Sequence, residues 1–186
     1  MKYKLAVLSS SLVLASLAQV ATANEGKIDF EGGVSDTTCT VVVNKQTNNA
    51  TVKLPIVSSK LLAAKDSTAG RTFLNFELSD CSSASTLASK ASVFFVAGDN
   101  ITREGHLENT AKTNATTNVE LQILNKDGDV MDLSLGTGAQ GAIAENIVDA
   151  SGKGSAYIRH FVQYISKGNA TAGGLTSSVD YEIDYE

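Results

Sequence analysis

The chain has 186 residues, with 15 Lys+Arg against 20 Asp+Glu, two Cys, two His and no Trp. The formal charge of −5 excludes a basic nucleic-acid footprint. Two histidines leave little material for His-dependent catalysis or a metal centre, and the length suits one domain.

The first segment is a secretory signal peptide, expected over residues 1–23. Lys2 and Lys4 precede an apolar stretch from Leu5 to Val20, and Ala21-Thr22-Ala23 places small residues where a signal peptidase reads. Ser9, Ser10, Ser11, Ser16 and Gln19 interrupt the run, which is short for a bilayer span. Cleavage after Ala23 removes two lysines and leaves a still more acidic chain from Asn24, with no later apolar segment of membrane-spanning length.

At the mature N-terminus Gly26, Ile28, Phe30, Gly32 and Val34 alternate with Lys27, Asp29, Glu31 and Gly33. A period of two is that of a strand with one apolar face. Further short runs rich in Val, Ile, Phe and Tyr predict strands over Thr40–Val43, Val52–Leu54, Thr72–Leu78 and Ser92–Val96. Others are expected over Asn118–Leu124, Val130–Leu135, Tyr157–Ser166 and Ser178–Tyr185. Ser59–Lys65 has the composition of a helical turn, and Asn125–Asp129 that of a hairpin turn with Gly128 at positive φ. Many short strands with such turns indicate an antiparallel sandwich. In the last strand Val179, Tyr181, Ile183 and Tyr185 face one way and Asp180, Glu182, Asp184 and Glu186 the other, and the chain stops there.

Cys39 and Cys81 are both in the exported part, where one structural disulfide is the default. Closing a loop of about 40 residues contributes about 4 kcal/mol on chain-entropy grounds. Two thiols with no nearby histidine make a poor metal site.

Other motifs carry little chemistry. Gly136-Thr137-Gly138-Ala139-Gln140-Gly141 matches G-x-G-x-x-G after a plausible strand, and Ala142–Val148 has a helical alternative. No acidic residue follows near 20 positions on, so a glycine loop is expected instead. His106 and His160 stand in no nucleophile or zinc motif and read as surface or packing residues. Asp127, Asp129 and Asp132 lack the remaining ligands of a calcium loop and read as turn residues. Asn-x-Thr triplets at Asn49, Asn114 and Asn169 matter only in a glycosylating host, and the absence of Trp disfavours a sugar-stacking site. No cofactor, metal or nucleic acid is assigned.

Taken together, these landmarks resemble the major subunit of type 1 fimbriae, within the chaperone–usher pilin family. Ile28-Asp29-Phe30-Glu31-Gly32, then Val34 and Cys39-Thr40-Val41, is similar to the family's N-terminal extension running into its first cysteine. Phe76-Glu77-Leu78-Ser79-Asp80-Cys81 resembles the segment around the second. Ala88–Val93, Thr117–Leu124 and the penultimate Tyr185 also resemble family segments. The resemblance covers essentially the whole mature chain. His160 departs from it, standing where an apolar residue is expected.

The resemblance implies an all-β, incomplete immunoglobulin-like sandwich that lacks its last strand and is completed by a donor strand. Its divisions are a signal peptide (1–23), an N-terminal extension that is the donor strand (24–35), and a pilin domain (36–186). A periplasmic chaperone lends a strand first. At an outer-membrane usher the extension of the next subunit replaces it, a form of β-strand addition. The partners implied are copies of itself or related pilin subunits, in a cell-surface fimbrium reached through the periplasm. Gly26, by the same resemblance, occupies a groove pocket that admits only glycine. Val179, Tyr181, Ile183 and Tyr185 belong to the groove-edge strand, with Tyr185 and the terminal carboxylate contributing to chaperone docking.

Other readings remain open at this point. Residues 26–34 also suit the first strand of a complete sandwich. A minor, adaptor or tip subunit with an adhesive binding role would share the same parts, although the length leaves no room for a second receptor-binding domain. A small secreted hydrolase would rest on His106 and His160 alone.

Overall fold

Alternation along the strands dictates which side chains meet. A computed structural model of the chain describes residues 27–34, 37–82, 88–149 and 152–186. The expected signal peptide and Gly26 lie outside the described residues. The chain divides at Gly32 into two units. In the first, residues 27–32 have irregular backbone, with Lys27 paired to Asp29 at 2.6 Å.

The second unit, Gly33–Glu186, carries the secondary structure. Its strands are β1 (Thr40–Val43), β2 (Thr68–Ser82), β3 (Lys90–Phe95), β4 (Val119–Leu124), β5 (Glu145–Asn146), β6 (Val148–Asp149), β7 (Lys153–Ser166) and β8 (Tyr181–Tyr185). One antiparallel sheet runs β1-β2-β7-β4, with β6 also on β7, and the other runs β5-β3-β8. Among the described residues one 3-10 turn, Ser59–Leu62, is capped by the Ser58 side chain and falls where a helical turn is expected.

The inner faces supply the core. Leu74, Phe76 and Leu78 from β2, Val93 and Phe95 from β3, Leu121 and Ile123 from β4, and Ile158 and Val162 from β7 form one buried cluster. Phe76 and Phe95 join the two sheets edge to face, 6.3 Å between ring centroids. The long β2–β7 pairing bends at register shifts between Ala69 and Thr72 and between Leu78 and Cys81. At the first shift Gly70 has φ 70, and a Cβ there would meet the Tyr164 ring at 2.8 Å. Only glycine satisfies both constraints.

Two expected strands form no ladder. In Val130–Leu135, Met131 and Leu133 are fully buried, yet the sole bridge among the described residues is that between Leu124 and Val130. Asp132 Oδ1 accepts hydrogen bonds from Ser134 N and Oγ, turning the backbone before a ladder can extend. Alternation there reports burial, not pairing. Val52–Leu54 also lacks a paired strand, and Pro55 follows with no N–H to donate. The helical alternative for Ala142–Val148 is overturned: the segment is extended and contains β5. Gly128 does have positive φ, 90°, in the turn closed by Gly128 N donating to Asn125 O.

The glycine loop has a structural purpose. Gln140 is 2% exposed, and its amide accepts from Phe95 N at 3.0 Å and donates to Phe95 O at 2.7 Å. Beyond β5 that side chain stands in for a neighbouring strand on the β3 edge.

A second polar assembly covers the β4–β7–β2 surface. Arg71 Nε donates to Gln163 Oε1, and Gln163 Nε2 to Gln122 Oε1. Gln122 Nε2 then donates to His106 Nε2, so the His106 proton lies on Nδ1 and is given to Glu120 Oε2. Lys167 Nζ meets the other oxygen of Glu120 at 2.8 Å. Gln122, Gln163 and Glu120 are all buried, and this chain of donors satisfies them.

Candidate functional site

The site arises from two strands that each pair on one side only. β1 bonds to β2 and β8 bonds to β3, leaving the other edge of each without a ladder partner among the described residues. A groove of about 1240 Å³ runs between these edges. Its floor is Leu74, Phe76, Phe95, Leu121 and Ile123, its walls Val41 and Val43 from β1 and Tyr181 and Ile183 from β8. Val52 and Leu54 line it as well, which is where the unpaired segment puts its apolar side chains. Because the groove is open, Tyr181, Ile183 and Tyr185 stay half-buried, while the floor residues Phe76 and Ile123 are each 1% exposed. Apolar side chains and unpaired strand edges together form a surface that pairs readily with another chain.

Two tyrosines span the gap. The Tyr181 hydroxyl donates to Asn48 O at 2.8 Å, and Tyr185 shares a hydrogen bond with the Cys39 backbone. Burial raises the pKa of both phenols, opposed at Tyr185 by the Cys39 contact. The Cys39–Cys81 disulfide, with an S–S length of 2.08 Å, fastens the start of β1 to β2.

His160 lies just below the floor. It is 1% exposed on the inward face of β7, edge to face with Phe76 at 5.9 Å and Phe95 at 5.6 Å. Nδ1 donates to Leu124 O at 3.3 Å, and Nε2 has no partner. Burial lowers its pKa to about 4, so the ring is neutral. The inward face of Tyr157–Ser166 is thus fixed, with histidine in an apolar position.

Of the remaining candidates, Ile28, Phe30 and Val34 are exposed, at 76%, 90% and 96%. Val179 lines the groove with Tyr181 and Ile183. Residue-level reading did not find Gln140 or the His106–Glu120 assembly, which leave no periodic trace.

The family is decided by the comparison of sequences. The family described as "FimA: Type-1 fimbrial protein, A" matches residues 54–186. The chain belongs to this family of fimbrial proteins. This fimbrial protein is 37% identical to the F17 fimbrial protein of Escherichia coli over 177 residues, covering 94% of this chain and 95% of the relative. It is 34% identical over 174 residues to the major fimbrial subunit SMF-1 of Stenotrophomonas maltophilia (strain K279a), covering 93% and 99%. Among solved structures it is similar to the P pilus rod subunit PapA, with a TM-score of 0.54 over 87% of this chain and 100% of that one. At 14% identity that likeness concerns the fold, an immunoglobulin-like sandwich lacking a strand.

Proposed function

We propose that this fimbrial protein is a structural, non-enzymatic subunit of an adhesive cell-surface fimbria, polymerising by donor-strand exchange. The observation that carries the reading is the apolar groove between the unpaired edges of β1 and β8. Residues 1–23 are removed on export, residues 24–35 are the donor strand, and residues 36–186 are the body that accepts one. Ile28, Phe30 and Val34 of one copy enter the groove of the next, with Gly26 and Gly32 in register. Burying those three side chains contributes roughly 5–8 kcal/mol, and the groove edges gain main-chain hydrogen bonds. A periplasmic chaperone holds the groove first, contacting Val179, Tyr181, Ile183, Tyr185 and the terminal carboxylate, and an outer-membrane usher exchanges it. The name of the major-subunit relative at 34% identity favours a shaft position.

The test deletes residues 24–35 and adds a synthetic peptide of that sequence. A large rise in melting temperature, lost when Phe30 in the peptide becomes Asp, is the expected result. A truncated domain that is already stable and ignores the peptide would end the donor-strand reading. Immunolabelling along the fibre, against its tip alone, tests the shaft position.

A further inference from the structure

The outer face of the β2–β7 pair carries a continuous stack of five side chains that the groove does not use. Arg71 lies over the Phe161 ring at 5.6 Å, and Phe161 packs on Phe73 at 5.2 Å. Arg159 lies 5.8 Å from the ring centres of both Phe73 and Tyr157. The register produces this order: Phe73 pairs with Phe161, Asn75 with Arg159, and Glu77 with Tyr157, all facing away from buried Ile158, His160 and Val162. Phe73 is 55% exposed and Tyr157 46%. Rings that hold guanidinium groups in place leave their N–H forks preorganised for carboxylates. Neither arginine forms an ion pair among the described residues.

The opposite face of the sandwich supplies the counterpart. Glu182 and Asp184 do not line the groove as Val179, Tyr181 and Ile183 do, Asp180 stands at its margin, and none of the three acidic residues joins an ion pair among the described residues. Lys90 sits beside Glu186, at the far end of that strand. The rows of Arg71 and Arg159 are about four residues, or about 14 Å, apart along β2, and Asp180 and Asp184 repeat at the same interval. The two stripes occupy outer faces of different sheets, so they cannot meet within one subunit. A contact between copies leaves the same two faces free again, which makes it heterologous and repeatable.

We propose that the Arg71, Phe161, Phe73, Arg159 and Tyr157 stack docks on the acidic outer face of β8 in a second copy of this chain. Each contact is weak, and it gains strength from repetition between neighbouring turns or fibres, a step that rests on the fibre reading above.

The test uses the full chain carrying Arg71→Lys and Arg159→Lys, in fibres and unassembled. A carbodiimide joins an ammonium group to a carboxylate it touches, and mass spectrometry identifies the joined peptides. Links from position 71 or 159 to Asp180, Glu182 or Asp184 are expected. They should disappear with Asp180→Asn, Glu182→Gln and Asp184→Asn together. Fibres with Arg71→Glu and Arg159→Glu should keep their detergent-resistant subunit ladder yet lose side-by-side association, and Glu182→Arg with Asp184→Arg should restore it. An intact ladder with no such links overturns the proposal and spares strand exchange. Links without a ladder sink strand exchange and spare the proposal. Loss of glycan binding in the Arg→Glu fibres, with no links seen, overturns it in favour of a receptor-binding patch.

Discussion

Tyr181 meets Phe76 edge to face, 4.9 Å between ring centroids, where the wall of the groove joins its floor. The same ring reaches the far rim through its hydroxyl, bonded to Asn48 O. One side chain therefore ties β8 to the core and to the β1 side of an otherwise open gap. On the donor-strand proposal, an incoming strand would meet walls already set apart, so less ordering would remain to be done when it binds.

Both sides of the proposed joint are separately breakable. Phe30→Asp removes an apolar donor, and Ile183→Asp puts a carboxylate in the groove wall. Each alone should abolish the detergent-resistant ladder on an unheated gel. Each subunit keeps one working half, so mixing the two variants should restore pairs but no longer chains.

The disulfide closes a separation of 42 residues and holds the β1 edge beside the groove. Replacing Cys39 and Cys81 together by Ser should lower unfolding stability by about 4 kcal/mol. Urea denaturation reads this directly, as a shifted midpoint.

His160 makes stability depend on pH. Burial depresses its pKa from 6.5 to about 4, so the folded state binds its proton later than the unfolded chain does. Its contribution is complete above the unfolded value and is lost as pH falls from 6.5 towards 4. The full loss is about 3 kcal/mol. Unfolding measured across that range should show the slope, and His160→Leu should flatten it.

Gln140→Leu removes both partners of the Phe95 backbone at that edge. Two buried peptide groups left unsatisfied should cost about 2–4 kcal/mol. Hydrogen exchange should show the Phe95 amide losing protection ahead of its neighbours in β3.

Much of the fold is written locally. The alternation of Leu74, Phe76 and Leu78, and of Tyr181 and Ile183 against Glu182 and Asp184, carries strand type and facing together. It fails at Met131 and Leu133, which are buried without a ladder because burial needs neighbours and pairing needs a free backbone edge. The groove is less legible. An absent strand has no residues to read, and only the family likeness directed attention to it. Gln140 acts on a residue 45 positions away through one amide, and no period in the sequence marks such a bond.

The one-way chain of donors from Arg71 through Gln163, Gln122 and His106 to Glu120 has a mechanical consequence. It crosses β2, β7 and β4 at right angles to their length, side chain to side chain, alongside the backbone ladder. Sliding β2 past β7 breaks the Arg71–Gln163 link, and sliding β7 past β4 breaks the Gln163–Gln122 link. In the fibre proposed above, any load that slides these strands past one another would be opposed by side-chain bonds as well as by the backbone ladder, as bolts stiffen a plate.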